Sequence, residues 1–111
     1  MSEKVILVLV DGMRPDGMMA CGNSYPAKFI SEATYSLKAR TVMPSVTPVC
    51  FGTMYTGAQP AVHGIIKYSK PVIKIDTLFD ALIRAGKKPA IVSTEDDSLS
   101  MIFLERPMDY Y

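Results

Sequence analysis

Apolar residues occur along the chain in short blocks, and three of these blocks have the pattern of β-strands. Residues 4–10 are apolar and mostly β-branched after the initial lysine, with no polar alternation, and they stop at Asp11-Gly12. Such a run is typical of a strand that is covered on both faces of a parallel sheet. Residues 35–43 alternate apolar with polar side chains and predict a half-exposed strand, and residues 89–93 predict another short one.

The blocks between these strands have helical spacing and recognisable ends. Residues 14–34 predict helical structure that is interrupted at 22–26. A second helix is predicted to begin at Thr47-Pro48 and end at Gly57. A third starts at 76–77, where a threonine is followed three residues later by an aspartate, and a fourth follows the acidic residues 95–97. Residues 58–75 are expected to be mostly loop.

The resulting order of elements, β, α, β, α, α, β, predicts an α/β fold with a layered, mostly parallel sheet and flanking helices. We expect residues 1–111 to form a single α/β domain. Apolar residues make up 49% and charged residues 21% of the chain, which is ordinary for a globular protein, and the net charge is only +1. The scattered basic residues do not predict a nucleic-acid partner, and no apolar run is long enough to span a membrane.

Cysteine usage adds an expectation about the compartment. Cys21 and Cys50 are not arranged as a CxxC pair, and the chain has one histidine, so neither a disulfide framework nor a zinc knuckle is predicted. We expect both cysteines to be buried as small apolar side chains. Together with the absence of a signal-peptide pattern, this predicts a cytoplasmic protein.

Two positions have the setting of reactive groups. Asp11 follows a buried strand, so its carboxylate needs either a metal ion or the N–H groups of the next helix, and position alone does not choose between them. Thr47 lies at a predicted helix start, where partial positive charge favours a phosphate. There it is either a nucleophile or an N-cap, and the local pattern by itself favours the N-cap.

Two longer stretches, VILVLVDGMRPD and MPSVTPVCFGTMYTGAQPAVHGI, together resemble the alkaline phosphatase superfamily, and most closely its type I phosphodiesterase/nucleotide pyrophosphatase branch. In the second stretch Thr47 precedes Thr56-Gly57 by nine residues, and a Pro-x-x-His-Gly turn follows. The resemblance implies an alkaline phosphatase-like sheet, with Asp11 as a metal ligand. It also implies that Thr47 is a nucleophile that forms a phosphothreonine intermediate and binds the metal.

The same resemblance implies a metal-dependent hydrolase of small phosphate esters, either phosphodiesters and pyrophosphates or phosphonates. The implied cofactor is a pair of zinc ions, with manganese as an alternative. A threonine nucleophile favours phosphate or phosphonate esters over sulfates. The branch's phosphate-binding asparagine often stands three residues after the nucleophile, where this chain has Cys50. Oxyanion stabilisation would then come from backbone N–H groups or from another side chain.

Other candidates are weaker. Ser45 is a competing hydroxyl, but the spacing to Thr56 favours Thr47. His63 corresponds to a structural turn in the resemblance, and the acidic residues 95–97 are expected to be a solvated loop or a helix start. The resemblance implies that a two-metal site of this family has several histidine ligands, and this chain has one histidine.

We therefore expect the chain to be the amino-terminal part of a longer catalytic domain, weakly active or inactive by itself. The alternative is a non-catalytic phosphate-binding or dimerising α/β module, in which a second copy covers an exposed sheet edge.

Overall fold

The computed structural model describes residues 3–104, and the chain divides into two compact units, Met1–Ala39 and Arg40–Tyr111. All regular structure in the described residues is helical. Among residues 3–104, the first unit contains two helices and the second contains four. The helices are α1 Pro15–Ala20, α2 Ser24–Glu32, α3 Thr47–Thr56, α4 Pro60–His63, α5 Leu78–Arg84 and α6 Ser98–Ile102.

The prediction of a layered parallel sheet is wrong for the described residues. None of the segments 4–10, 35–43 and 89–93 is a strand, and Ala90 makes only an isolated bridge. The reason is that composition gives a segment only the capacity to be a strand, whereas a strand exists when neighbouring backbone N–H and C=O groups pair with it. Side chains 5–10, which were expected to be buried on both sides, are between 39% and 87% exposed.

The first unit consists of short helices held by local contacts. Asn23 caps α2, because its side-chain oxygen accepts a 2.8 Å hydrogen bond from the N–H of Tyr25. Tyr25 and Phe29, one turn apart, stack with their ring centroids 6.2 Å apart. Neither helix of this unit contains a buried residue, so the unit has no apolar core of its own within residues 3–39. Cys21, which was expected to be buried, is exposed.

The second unit has a core built around three aromatic side chains, one from α3, one from α5 and one just after α6. The rings of Tyr55, Phe79 and Phe103 have centroid separations of 5.0 to 5.2 Å. Their mutual contacts exclude water, and burial raises the pKa of the Tyr55 phenol. Aliphatic side chains complete the cluster: Val49, Ile65, Ile73, Ile91 and Ile102.

The ends of the later helices follow the capping rules. Thr77 and Asp80 form the expected capping box at the start of α5, and the helix stops just before Gly86, which has a φ of 72°. Asp97 caps α6 by accepting a 2.8 Å hydrogen bond from the N–H of Ser100. The helices are short, and none of those in residues 3–104 has the length and hydropathy required to cross a bilayer. The turn α4 lies within a segment that was expected to be loop.

Candidate functional site

Thr47 is the first residue of α3. Val46 occupies the N-cap position, with backbone angles in the extended region, and Pro48 follows in the first turn. The helix hydrogen-bonding begins with the N–H of Cys50, which donates to the carbonyl of Val46 at 3.0 Å. Thr47 is therefore not the N-cap residue, contrary to the capping interpretation. Its half-buried side chain stands where the positive end of the helix dipole lies.

The face of α3 that carries Thr47 can be read from the helical repeat. At 3.6 residues per turn, Cys50 lies one turn further along the same side. Cys50 is half-buried and is not in a disulfide, and a thiol is only a weak hydrogen-bond donor. It therefore replaces the expected asparagine on the correct face but with a much weaker donor. Ser45, the competing hydroxyl, is exposed and precedes the helix.

His63, at the end of α4, is 95% buried and both of its ring nitrogens have protein partners. The N–H of Ile65 lies 3.2 Å from Nδ1, and the hydroxyl of Thr53 lies 3.0 Å from Nε2. Because a backbone N–H can only donate, Nδ1 must be the acceptor and the neutral ring carries its proton on Nε2. Burial lowers the pKa of His63, against the opposing effect of a hydrogen bond with the backbone of Val49. A neutral imidazole with both nitrogens engaged is not available as a metal ligand.

The imidazole of His63 packs directly on Gly52, in the middle of α3. A Cβ added at Gly52 would lie 2.6 Å from Cε1, 2.7 Å from Nδ1 and 3.0 Å from Nε2 of the ring. In folded proteins a Cβ essentially never lies closer than 3.0 Å to such an atom, so the first two distances would require the ring or the helix to move. The absence of a side chain at position 52 is therefore what allows α4 to lie against α3.

Asp11 lies in the first unit, in the turn that precedes α1. Arg14 occupies the N-cap position of α1, so Asp11 is not the N-cap residue of that helix. Asp11 lines an open depression of about 600 Å³ together with Arg14, Asp16 and Cys21. Arg14 binds both carboxylate oxygens of Asp16, at 3.0 and 2.9 Å, and this guanidinium lowers the pKa of Asp16. Arg14 and Asp16, which both line the depression, thus form an ion pair with each other.

A profile of the family described as "Type I phosphodiesterase / nucleotide pyrophosphatase" matches residues 5–81, which is more than half of the chain. The chain belongs to this family. The match includes both Asp11 and Thr47, and it confirms the resemblance that the two sequence stretches indicated. No curated protein and no solved structure matches the chain. Membership places this type I phosphodiesterase-family chain among phosphodiesterase and nucleotide pyrophosphatase-type hydrolases.

The described part of this phosphodiesterase-family chain does not form a two-metal centre by itself. Within residues 3–104 no group of three histidine, cysteine, aspartate or glutamate side chains is close enough to hold a metal ion. Asp11 and Thr47 belong to different compact units. Among the acidic residues 95–97, Asp97 caps α6, and its carboxylate also accepts a hydrogen bond from the hydroxyl of Ser93.

Sequence reasoning missed the two residues of α3 that face His63, Gly52 and Thr53. A glycine in a helix interior costs stability relative to alanine, so Gly52 inside a strong helical pattern was a usable signal of close packing. The sequence motif singled out Thr56, in the Thr56-Gly57 pair, and not Thr53; the hydroxyl of Thr56 donates to the carbonyl of Gly52 at 2.6 Å and does not face His63. The His63–Thr53 pairing emerges only once α4 folds back on α3.

Proposed function

We propose that this chain carries the nucleophile of a phosphate-ester hydrolase, and that the nucleophile is the hydroxyl of Thr47. The observation that supports this most strongly is positional: within the family match, Thr47 is the first residue of the ten-residue helix α3. The first N–H groups of a helix have no partners inside the helix, and together with the dipole they favour an anion there. The expected substrates are small phosphodiesters or pyrophosphates, with phosphonates as an alternative.

The proposed reaction has two steps on this hydroxyl. The Oγ of Thr47 attacks phosphorus and releases its proton to water, while the bond from phosphorus to the leaving-group oxygen breaks and that oxygen takes up a proton from water. The phosphothreonine is then cleaved by water, which restores the hydroxyl and releases the phosphorylated product. Negative charge develops on the phosphoryl oxygens, and the amino-terminal turn of α3 stabilises it. Cys50 contributes little to this stabilisation, because a thiol is a weak donor.

The metal requirement is also part of this proposal. Asp11 and Thr47 are the two metal ligands that we propose for zinc or manganese, because a carboxylate suits both ions and the family resemblance implies the threonine oxygen as a ligand. The described residues do not supply the remaining ligands, and we assign no step to the metal. Activity of the 111 residues alone is expected to be weak or absent. The metal proposal is tested by measuring bound zinc and manganese in the chain and in Asp11→Asn, where binding should fall.

Hydrolysis of bis(4-nitrophenyl) phosphate, with zinc or manganese added, tests the nucleophile directly. Thr47→Ala should abolish release of nitrophenol, whereas Ser45→Ala, the matched control at an exposed hydroxyl two residues away, should retain it. Mass spectrometry of acid-quenched reactions should find the phosphoryl group on Thr47. Equal turnover by the native chain and Thr47→Ala, or phosphorylation at Ser45, would contradict the proposal.

A measurement of anion binding, which does not require turnover, tests the proposal if the chain is weakly active or inactive. Inorganic phosphate or orthovanadate should raise the thermal unfolding temperature of the native chain, because a ligand that binds only the folded state stabilises it. The shift should be smaller in Thr47→Ala and unchanged in Ser45→Ala. If the native chain shows neither turnover nor an anion-dependent shift, the assignment of Thr47 fails.

One observation favours a second candidate function, a non-catalytic dimerising module. The side chains of Val5 and Ile6 are 87% and 86% exposed, in an apolar run that a partner chain would cover. This candidate predicts a homodimer that dissociates when Val8 is replaced by lysine. It also predicts no hydrolysis, and an oligomeric state that Thr47→Ala does not alter. Sedimentation of the native chain and both variants separates it from the enzyme.

A further inference from the structure

Three contacts of His63 fall on a single side of α3. The ring covers Gly52, it pairs with Thr53, and it hydrogen-bonds the backbone of Val49. Positions 49, 52 and 53 are spaced by three and four residues, which is the spacing of neighbours on one helix face. At 100° per residue, Thr47 lies roughly 170° around the helix from the centre of this face. His63 therefore contacts the side of α3 that faces away from Thr47.

The ring is held in one orientation by groups outside α3. The N–H of Ile65, two residues beyond His63, donates to Nδ1, and Gly64 between them has a φ of 90°, which forms a tight turn. Because Nδ1 is the acceptor in that turn, the Nε2–H is the one donor of the ring, and the hydroxyl of Thr53 and the backbone carbonyl of Val49 share it. The flat face of the imidazole then fits only where position 52 has no side chain. The close packing of the ring on Gly52 and the hydrogen bonds of its two nitrogens thus require the same rotation of α3 about its axis.

We infer that His63 is a positioning residue: as a neutral ring protonated on Nε2, it fixes the rotation of α3 about its axis and so the direction in which Thr47 faces. The functional meaning of this inference rests on the proposed role of Thr47, whereas the structural role of His63 in fixing the rotation of α3 does not. His63 touches no reacting atom. It acts through Thr53 and Gly52, and it is distinct from a metal ligand because its lone pair on Nδ1 already has a donor.

Nitrogen-15 NMR of the 111-residue chain tests the inference without any turnover. The chain has a single histidine, so one imidazole gives all the ring signals. At neutral pH we expect a protonated Nε2 and an unprotonated Nδ1. On acidification, the backbone amide of Thr47 should titrate with the same midpoint as the ring. A ring protonated on Nδ1, or a Thr47 amide that does not respond while the ring titrates, would overturn the inference.

Variants of Thr53 supply the rescue test. Thr53→Val keeps the shape but removes the oxygen, so hydrogen exchange of the Cys50 amide, which makes the first hydrogen bond of α3, should accelerate on the order of fivefold, the equivalent of one net hydrogen bond. Thr53→Ser should restore slow exchange and the native position of the Thr47 amide signal. If Thr53→Ser behaves like Thr53→Val, the hydroxyl is not what positions the helix and the inference fails. If the NMR and exchange results are as expected but the hydrolysis assay fails, the proposed function of Thr47 is contradicted, and the positioning role of His63 is not.

Discussion

Replacing Gly52 with alanine gives the sharpest test of the packing between α3 and α4. In an ordinary helix interior this change stabilises by about 1 kcal/mol. Here the added methyl would overlap three ring atoms of His63, at 2.6 to 3.0 Å, and the ring is held at both nitrogens. Overpacking of this kind costs about 1–3 kcal/mol, and expulsion of the ring would also sacrifice hydrogen bonds of about 1 kcal/mol each. The expected net effect of Gly52→Ala is a destabilisation of about 1–3 kcal/mol.

Urea unfolding followed by circular dichroism and tyrosine fluorescence measures this effect, since the chain has six tyrosines and no tryptophan. Gly17→Ala is the matched control: it is also in a helix, but its Cβ would meet no atom within 4 Å, so it should be neutral or stabilising. In a His63→Ala background, Gly52→Ala should also become neutral or stabilising, because the obstructing ring is gone. A Gly52→Ala chain that is more stable than the native one, or an equal cost in both backgrounds, would refute the packing argument.

Three further changes test other parts of the second unit. The pKa of His63 is lower in the folded chain than its ordinary value, so the unfolded chain binds more protons as the pH falls below that ordinary value. The urea midpoint of the native chain should therefore decrease as the pH falls through this range. His63→Asn should lose this pH dependence. Asp97→Ala should cost about 1 kcal/mol, because α6 loses its N-cap, and Asp97→Asn should recover much of that in the same urea titration. Phe103→Ala should cost about 3–5 kcal/mol, since the ring is fully buried against two aromatic neighbours; a calorimetric loss below 1 kcal/mol would contradict that core.

Local signals in the sequence predicted the helices well. The Thr77–Asp80 capping box, the stop at Gly57 and the interruption between α1 and α2 each depend on residues that are neighbours in the chain. Backbone donors at a helix start are satisfied within three residues, so the information needed to place such an end is local. The start of α3 was misplaced by a single residue, because Val46 and not Thr47 holds the N-cap position.

The sheet could not be predicted in the same way, because strand pairing depends on residues far apart in the chain. The segments 4–10 and 35–43 have the composition of strands, but they form none among the described residues. In the candidate site, too, residues in local motifs could be predicted and contacts between distant residues could not. Thr47 and Asp11 were found from motifs, whereas the contact of His63 with Gly52 joins residues from two helices and required the fold.

The apolar run from Val5 to Val10 imposes a geometric condition on whatever would cover it. Side chains of an extended segment point alternately to its two sides, so residues 5, 7 and 9 would face one way and residues 6, 8 and 10 the other. All six are exposed large hydrophobic side chains. A helix laid against one side would shield only half of them from water. Full burial of this segment in an extended conformation would therefore require cover on both of its sides.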